Sequence, residues 1–334
     1  MSTVILTQSE VRGLLTMDVC IELMAEALAT LGRGDAINPL RSAIRVPDMG
    51  ILGMMPGYLG LPATLGLKVV AVFPGNHGTE FDSHQGLVIL FETEHGLPVA
   101  IMDASEITAI RTAAASGVAT RLLAREDAHD LAIIGSGVQA RTHLEAMLEV
   151  REVRRVRVFS RNEERRTSFA ERESARRGVP VEAVSSAQEA VHDADLICTT
   201  TSAREPVLMG DWIAPGAHIN AVGSSVRTTR ELDTAAVVRS RLFVDRREST
   251  VNEAGDFLFP KEEGAIDDSH ILGEIGELLL GRVTGRGSPD EITLFKSLGL
   301  AVEDLAAAHY LLERARAEGV GTRVDLGGRV DATD

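Results

Sequence analysis

HDLAIIGSGVQARTHLEAML, residues 129–148, runs from an apolar segment through a glycine turn into a stretch with helical spacing. In Gly135-Ser136-Gly137-Val138-Gln139-Ala140 the first glycine permits a tight turn and the second lets backbone approach a pyrophosphate. A small third residue, here Ala140, lets the helix pack on its strand. The helix N-terminus then faces the phosphates. A glycine turn alone is a weak signal, but a second strand follows, VRRVRVFSR at 153–161. A site for NAD expects an acidic residue roughly 20 positions on, at the end of that strand. The chain has Ser160-Arg161-Asn162 there. A hydroxyl and a guanidinium suit a 2′-phosphate better than a bare diol, so the cofactor expected is NAD(P)H, with a lean to NADP(H).

Outward from this turn, strands and helices alternate from the polar break REDAHD (125–130) to about residue 300, the pattern of a parallel α/β sheet. The preceding part is different. LRSAIRV (40–46), ILGMMPGYL (51–59), LGLKVVAVF (65–73), GLVILFE (86–92) and LPVAIMD (97–103) are short apolar runs punctuated by Gly, Pro, Asn and His, which predicts a mainly antiparallel sheet. Residues 3–33 read as a short strand and two helices, capped by Thr7 and Thr16. The alanine-rich DASEITAIRTAAASGVATRLLA (103–124) reads as a helix. GLAVEDLAAAHYLLERARAEG (299–319) reads as an amphipathic helix returning to the first domain. The fold class is therefore α/β, a Rossmann domain over 124–302 beside an α+β domain of 1–123 and 303–334.

At 334 residues the chain exceeds the usual size of one core, which agrees with two domains. No apolar run approaches the roughly 20 residues that span a bilayer, and MSTVILTQSE lacks a basic start with an apolar core, so a soluble, cytoplasmic protein is expected. A net charge of −15 argues against nucleic acid and anionic membranes as partners. Cys20 and Cys198 lie far apart without metal-ligand spacing and read as reduced packing residues, and no metal site is expected.

TLGLKVVAVFPGN, 64–76, poses a separate question: Lys68, the only lysine before Lys261, sits in an apolar strand. Burying an unpaired ammonium is costly, so Lys68 either snorkels to water or has a function.

The ordered set PLRSAIRV, GMMPGY, SHQGLVILFE, ASEITAIRTAAASGVAT, IIGSGVQA, PGAHINAVG and LFKSLGLAVEDLAAA resembles the ornithine cyclodeaminase and mu-crystallin family over nearly the whole chain. The resemblance implies a homodimer whose N-terminal domain supplies dimer contacts and most substrate groups. It makes Lys68 the active-site lysine and Arg41 and Arg111 the arginines that bind a substrate carboxylate. Arginine suits that task through its planar fork, and a desolvated lysine near other cations titrates close enough to neutrality to donate a proton. His84 matches a family histidine near the site. Thr112, Lys296 and Ser297 are expected cofactor contacts, as are Gly135, Ser136, Gly137, Val138, Gln139, Ser160, Arg161, Thr200, Val222 and Gly223.

One position departs from the cyclodeaminase pattern, which has an aspartate two residues after the glycine of AVG. Here that residue is Ser225, as in mu-crystallin, and a hydroxyl does not accept a proton near neutrality as a carboxylate does. Glu231 and Asp233 nearby read as polar residues of a helix start. The expected function is reduction of a small α-imino acid, with iminosuccinate, the pyruvate imine and a cyclic ketimine as substrates. Ornithine cyclodeamination and a catalytically silent, crystallin-like nucleotide-binding protein are the alternatives. Arg45, placed on the strand face of Arg41, and Arg227, just past Ser225, would favour a dicarboxylate if either faced the substrate.

Overall fold

The computed structural model describes residues 2–76 and 79–328. It divides into two compact units, Met1–Arg111 with Leu300–Asp334, and Thr112–Gly299. The sequence drew the first boundary at 123/124, past the alanine-rich helix; the compact units divide inside that helix, and again just ahead of the C-terminal one.

The first unit opens with β1 (Thr3–Leu6), α1 (Gln8–Leu14) and α2 (Met17–Arg33), then β2 (Ala36–Ile37), β3 (Ser42–Val46), β4 (Gly50–Gly60), β5 (Ala63–Val72), β6 (His84–Phe91) and β7 (Pro98–Asp103). Thr7 and Thr16 cap α1 and α2 as expected, and the Glu10 carboxylate accepts the Thr7 N–H at 2.8 Å, closing a capping box. The helix α3 (Ala104–Leu123) carries the chain from one unit into the other. After the second unit come α11 (Ala301–Glu318) and β16 (Thr322–Val324), a strand too short to be read from sequence, which pairs antiparallel with β1.

Among the described residues these strands form one sheet in the order β16-β1-β7-β6-β5-β4-β2, with β3 beside β4. Pairing from β3 to β7 is antiparallel, as the sequence predicted. The helices α2 and α11 pack together, and α11 lies along β4, β5 and β6. Gly66 makes that approach possible: a Cβ there would come within 2.8 Å of Leu305 on α11. The opposite face of the sheet stays open, with Ile44, Leu65 and Leu87 exposed by 56%, 40% and 47%.

The second unit holds β8 (Asp130–Ile134), α4 (Val138–Val150), β9 (Arg155–Phe159), α5 (Glu163–Arg177), β10 (Val181–Ala183), α6 (Ala187–Val191), β11 (Leu196–Thr199) and β12 (His218–Ala221). These are followed by α7 (Thr234–Val238), β13 (Ser240–Val244), α8 (Arg247–Glu253), α9 (Gly255–Glu262), β14 (Ile271–Glu274), α10 (Ile275–Leu279) and β15 (Ile292–Lys296). Every pairing is parallel, in the order β10-β9-β8-β11-β12-β15-β13-β14. The first five positions reproduce the 3-2-1-4-5 order of a doubly wound dinucleotide fold, and the strand order reverses between β8 and β11. Both sheet faces are buried, which explains the continuous apolar runs LAII and LICT.

Candidate functional site

In the first unit, strand alternation turns Thr64, Gly66 and Lys68 of β5 toward α11, and the Lys68 side chain is only 4% exposed. Snorkelling is therefore ruled out. The ammonium meets the Asp304 carboxylate of α11 at 2.7 Å and donates a long hydrogen bond to Thr108 of α3 at 3.4 Å. Asp304 is shared: its other oxygen accepts from Arg111 Nε at 2.9 Å, while Arg111 Nη1 donates to Glu303 at 2.6 Å. Arg111 is also buried, and both acids are fully so. Burial lowers the Lys68 pKa to about 8, with Arg111 adding to the shift and Arg41 contributing less; Asp304 opposes it. An ammonium with its pKa lowered this far can give up a proton near neutral pH.

The sequence had assigned Arg111 to a carboxylate outside the protein, yet two internal carboxylates hold it. Glu303 and Asp304 were missed because VEDLAAA reads as the acid-rich first turn of an amphipathic helix. Arg41 lies just ahead of β3, half-buried, and is close enough to influence Lys68. Arg45, on β3, is exposed. His84 does not join the cluster. It is an exposed residue at the start of β6, its ring 3.0 Å from the Ser83 hydroxyl. It pairs with Val72 whereas Lys68 pairs with Val88, which separates the two by roughly 13 Å along the sheet.

In the second unit the register aligns Phe159, Ile134, Thr199, Ala221, Lys296 and Val244 in one row at the carboxyl ends of the strands. The residues that follow them are Ser160, Gly135, Thr200, Val222, Ser297 and Asp245. Five expected cofactor residues, dispersed over the sequence, thus fall on one edge, where ligands of open α/β sheets bind. Gly135 has φ 125°, and a Cβ there would lie 2.5 Å from the Thr200 hydroxyl, so only glycine fits the turn. Gly137 caps α4 with open space where a side chain would stand; Ala140 is fully buried and Val138 is 52% exposed. Gln139 follows on the first turn of α4, half-buried. Ser136 donates to Ser160 at 2.9 Å, tying the glycine turn to the end of β9, where Arg161 is exposed. The Ser297 hydroxyl is buried with no hydrogen-bond partner among the described residues, an arrangement that suits an added polar ligand. An open glycine turn, a helix start and an orphaned hydroxyl on one edge fit a dinucleotide. Thr112 is buried on α3 directly after Arg111.

Two readings of this unit need correction. Lys296, expected to touch cofactor, points inward: it is 1% exposed, pairs with Asp256 at 2.9 Å and donates to the Ala221 carbonyl at 3.2 Å. Glu231 is not a solvated helix-start residue. It is fully buried, its pKa raised by burial and then by Asp256, and its carboxylate accepts from Thr199 Oγ1, Thr201 N and Gly223 N at 2.8, 2.6 and 2.7 Å. Asp233 does cap α7, accepting from Ala236 N at 2.8 Å. Ser225 is half-buried in the loop after β12, and Arg227 is exposed. Cys20 and Cys198 are buried free thiols. No group of three or more His, Cys, Asp or Glu among the described residues is arranged to hold a metal ion. No helix among them is long and apolar enough to cross a membrane.

The sequence profile of the ornithine cyclodeaminase/mu-crystallin family matches residues 1–319. The chain belongs to this family. Its relatives include ketimine reductase mu-crystallin of Mus musculus, 41% identical over 286 residues, with 84% of this chain and 87% of the relative covered. The structure of Thermococcus litoralis Δ1-pyrroline-2-carboxylate reductase with NADH and L-proline superposes with a TM-score of 0.94 at 42% identity, covering 96% of this chain and all of that one. An archaeal alanine dehydrogenase dimer with bound NAD gives 0.93 at 34% identity, covering 98% and 100%. All three are named for reduction of a C=N bond or oxidation of an amino acid.

Proposed function

We propose that this protein is an NAD(P)H-dependent oxidoreductase that reduces a small α-imino acid to the L-amino acid, and that a cyclic ketimine with one carboxylate is its preferred substrate. The observation that carries the reading is the buried Lys68 ammonium, held beside Arg111 by a shared Asp304. Arg111 uses Nε and Nη1 internally, which leaves Nη2 for the substrate carboxylate, with Arg41 as the second contact. Lys68 donates the proton that the imine nitrogen takes up, and Asp304 keeps Lys68 charged until it does. A bound reduced nicotinamide would supply hydride to the imine carbon. Gly135, Gly137 and the start of α4 would hold the pyrophosphate, Ser160 and Arg161 the adenosine ribose, and Ser297 a polar group of the nicotinamide half.

Charge selects among the substrates. Lys68, Arg111 and Arg41 against Glu303 and Asp304 leave one positive charge, which one carboxylate neutralises. The exposed positions of Arg45 and Arg227 supply no buried partner for a second. This favours Δ1-pyrroline-2-carboxylate, the kind of substrate named for the Thermococcus relative, over iminosuccinate. Ser225 in place of an aspartate weighs against cyclodeamination. The missing carboxylate at the end of β9 favours NADP(H), while the two archaeal relatives hold NADH and NAD. The open apolar face carrying Ile44, Leu65 and Leu87 is what a second copy would cover in a homodimer; a monomeric mass in sedimentation equilibrium would contradict that part.

The deciding assay follows NAD(P)H consumption with Δ1-pyrroline-2-carboxylate, pyruvate plus ammonia, and oxaloacetate plus ammonia, using each cofactor. The cyclic imine gives the highest kcat/KM. A preference for the oxaloacetate-derived imine would overturn the single-carboxylate reading. Release of ammonia from ornithine without NAD(P)H turnover would establish the cyclodeaminase instead, and nucleotide binding with no turnover of any substrate would leave a binding protein.

A further inference from the structure

Three buried acids of the second unit, Glu231, Asp256 and Asp245, take no part in the chemistry described above, and each is bound to the carboxyl edge of the sheet. Asp245 accepts the N–H groups of Leu298 and Gly299 at 2.6 and 2.7 Å, fixing the chain just past Ser297. Asp256 accepts the N–H groups of Glu231 and Leu232 at 2.8 and 3.0 Å with one oxygen, and the Lys296 ammonium with the other. Glu231 in turn joins Thr199 at the end of β11 and Thr201 just past it to Gly223 after β12. Lys296 closes the chain on the Ala221 carbonyl of β12. A carboxylate with both oxygens accepting from three donors fixes those donors in space in a way that an apolar side chain of equal volume would not.

The placement is one-sided. A doubly wound sheet binds the two halves of a dinucleotide on either side of the point where the strand order reverses, here between β8 and β11. The adenosine side comprises β8 and β9, with Gly135 and Ser160. The three acids act on the ends of β11, β12, β13 and β15. We infer that Glu231, relayed through Asp256 and Lys296, is a positioning residue for the nicotinamide half of the cofactor, which it aligns by fixing Thr200, Val222 and Ser297 relative to one another. The inference rests on the proposal that the protein binds a nicotinamide dinucleotide.

The test compares the full-length wild type with Glu231→Gln and Thr199→Val by titrating two ligands. One is NADPH or NADH, whichever the wild type binds tighter, followed by nucleotide fluorescence. The other is the matching ADP-ribose, with or without the 2′-phosphate, followed by calorimetry. Glu231→Gln puts an NH2 group where an accepting oxygen stood, so the intact dinucleotide should bind at least about tenfold more weakly, while the ADP-ribose affinity stays within about twofold. Thr199→Val removes one hydroxyl at nearly constant volume and gives a smaller loss of the same kind, which keeps the test available if Glu231→Gln does not fold. Equal weakening of both ligands, or an unchanged dinucleotide affinity in the folded variants, would overturn the inference. A wild type that binds neither dinucleotide would overturn the functional reading itself.

Discussion

Lys68 in one unit and Lys296 in the other are both buried beside an aspartate, at 2.7 and 2.9 Å, yet their surroundings differ in kind. Lys296 adds a main-chain carbonyl to its aspartate, and that aspartate uses its second oxygen on two backbone N–H groups. It is a crosslink whose charge is met by the aspartate. Among the described residues Lys68 has only a distant hydroxyl besides Asp304, shares Asp304 with Arg111, and feels the positive charge of Arg111 and Arg41. Burial alone does not mark a lysine as reactive. What separates the two is the kind of second acceptor and the sign of the remaining neighbours, since a lysine crowded by cations is pushed toward giving up its proton.

That contrast breaks first at Lys296. Lys296→Met leaves Asp256 buried without its cation and should destabilise the protein by about 3–5 kcal/mol, read as a large fall in the denaturant midpoint or Tm. A midpoint equal to wild type would mean the crosslink carries no structural role. Lys68→Ala should behave in the opposite sense. Arg111 still neutralises Asp304, so the fold and NAD(P)H affinity stay near wild type while kcat drops on the order of 10²-fold, the usual scale of general acid catalysis. Retained turnover, or lost nucleotide binding with retained turnover per bound cofactor, would merge the two lysines into one class.

The pH dependence sharpens the difference with the smallest effect. On the proposed mechanism reduction uses the Lys68 ammonium, whose pKa is lowered to about 8, chiefly by burial. The protonated fraction is full below that value and falls about tenfold per pH unit above it, so kcat/KM for imine reduction should decline as pH rises through about 8. The reverse oxidation, which needs the free amine, should rise over the same range. A reductive profile that stays flat through this interval in wild type would remove Lys68 as the donor.

Legibility in the sequence followed the range of the interactions. The glycine turn, its strand and its helix were readable because Gly135, Gly137 and Ala140 are constrained by neighbours a few residues away. The antiparallel sheet was readable from its alternating runs and turn residues. Lys68 stood out because an ammonium in LGLKVVAVF violates the local pattern. The acids that govern it did not stand out, because Glu303 and Asp304 obey theirs: acids in the first turn of a helix are ordinary, and their partners are remote in sequence. Glu231 and Asp256 were hidden for the same reason. Lys296 was misread because its neighbour Ser297 lies on the edge row while strand alternation turns Lys296 the other way. Arg41 was assigned to a strand face, but β3 begins one residue later.

The late position of α11 imposes an order on biosynthesis. The second unit is one continuous stretch, Thr112–Gly299, available as soon as it leaves the ribosome. The first unit must wait, because Lys68 and Arg111 emerge well before Glu303 and Asp304, their counter-charges, which follow Arg111 by 192 and 193 residues. A released chain truncated after Gly299 should therefore carry a protease-resistant second unit and a cleavable first one. Resistance of both would show that the buried cations find other partners in the absence of Glu303 and Asp304.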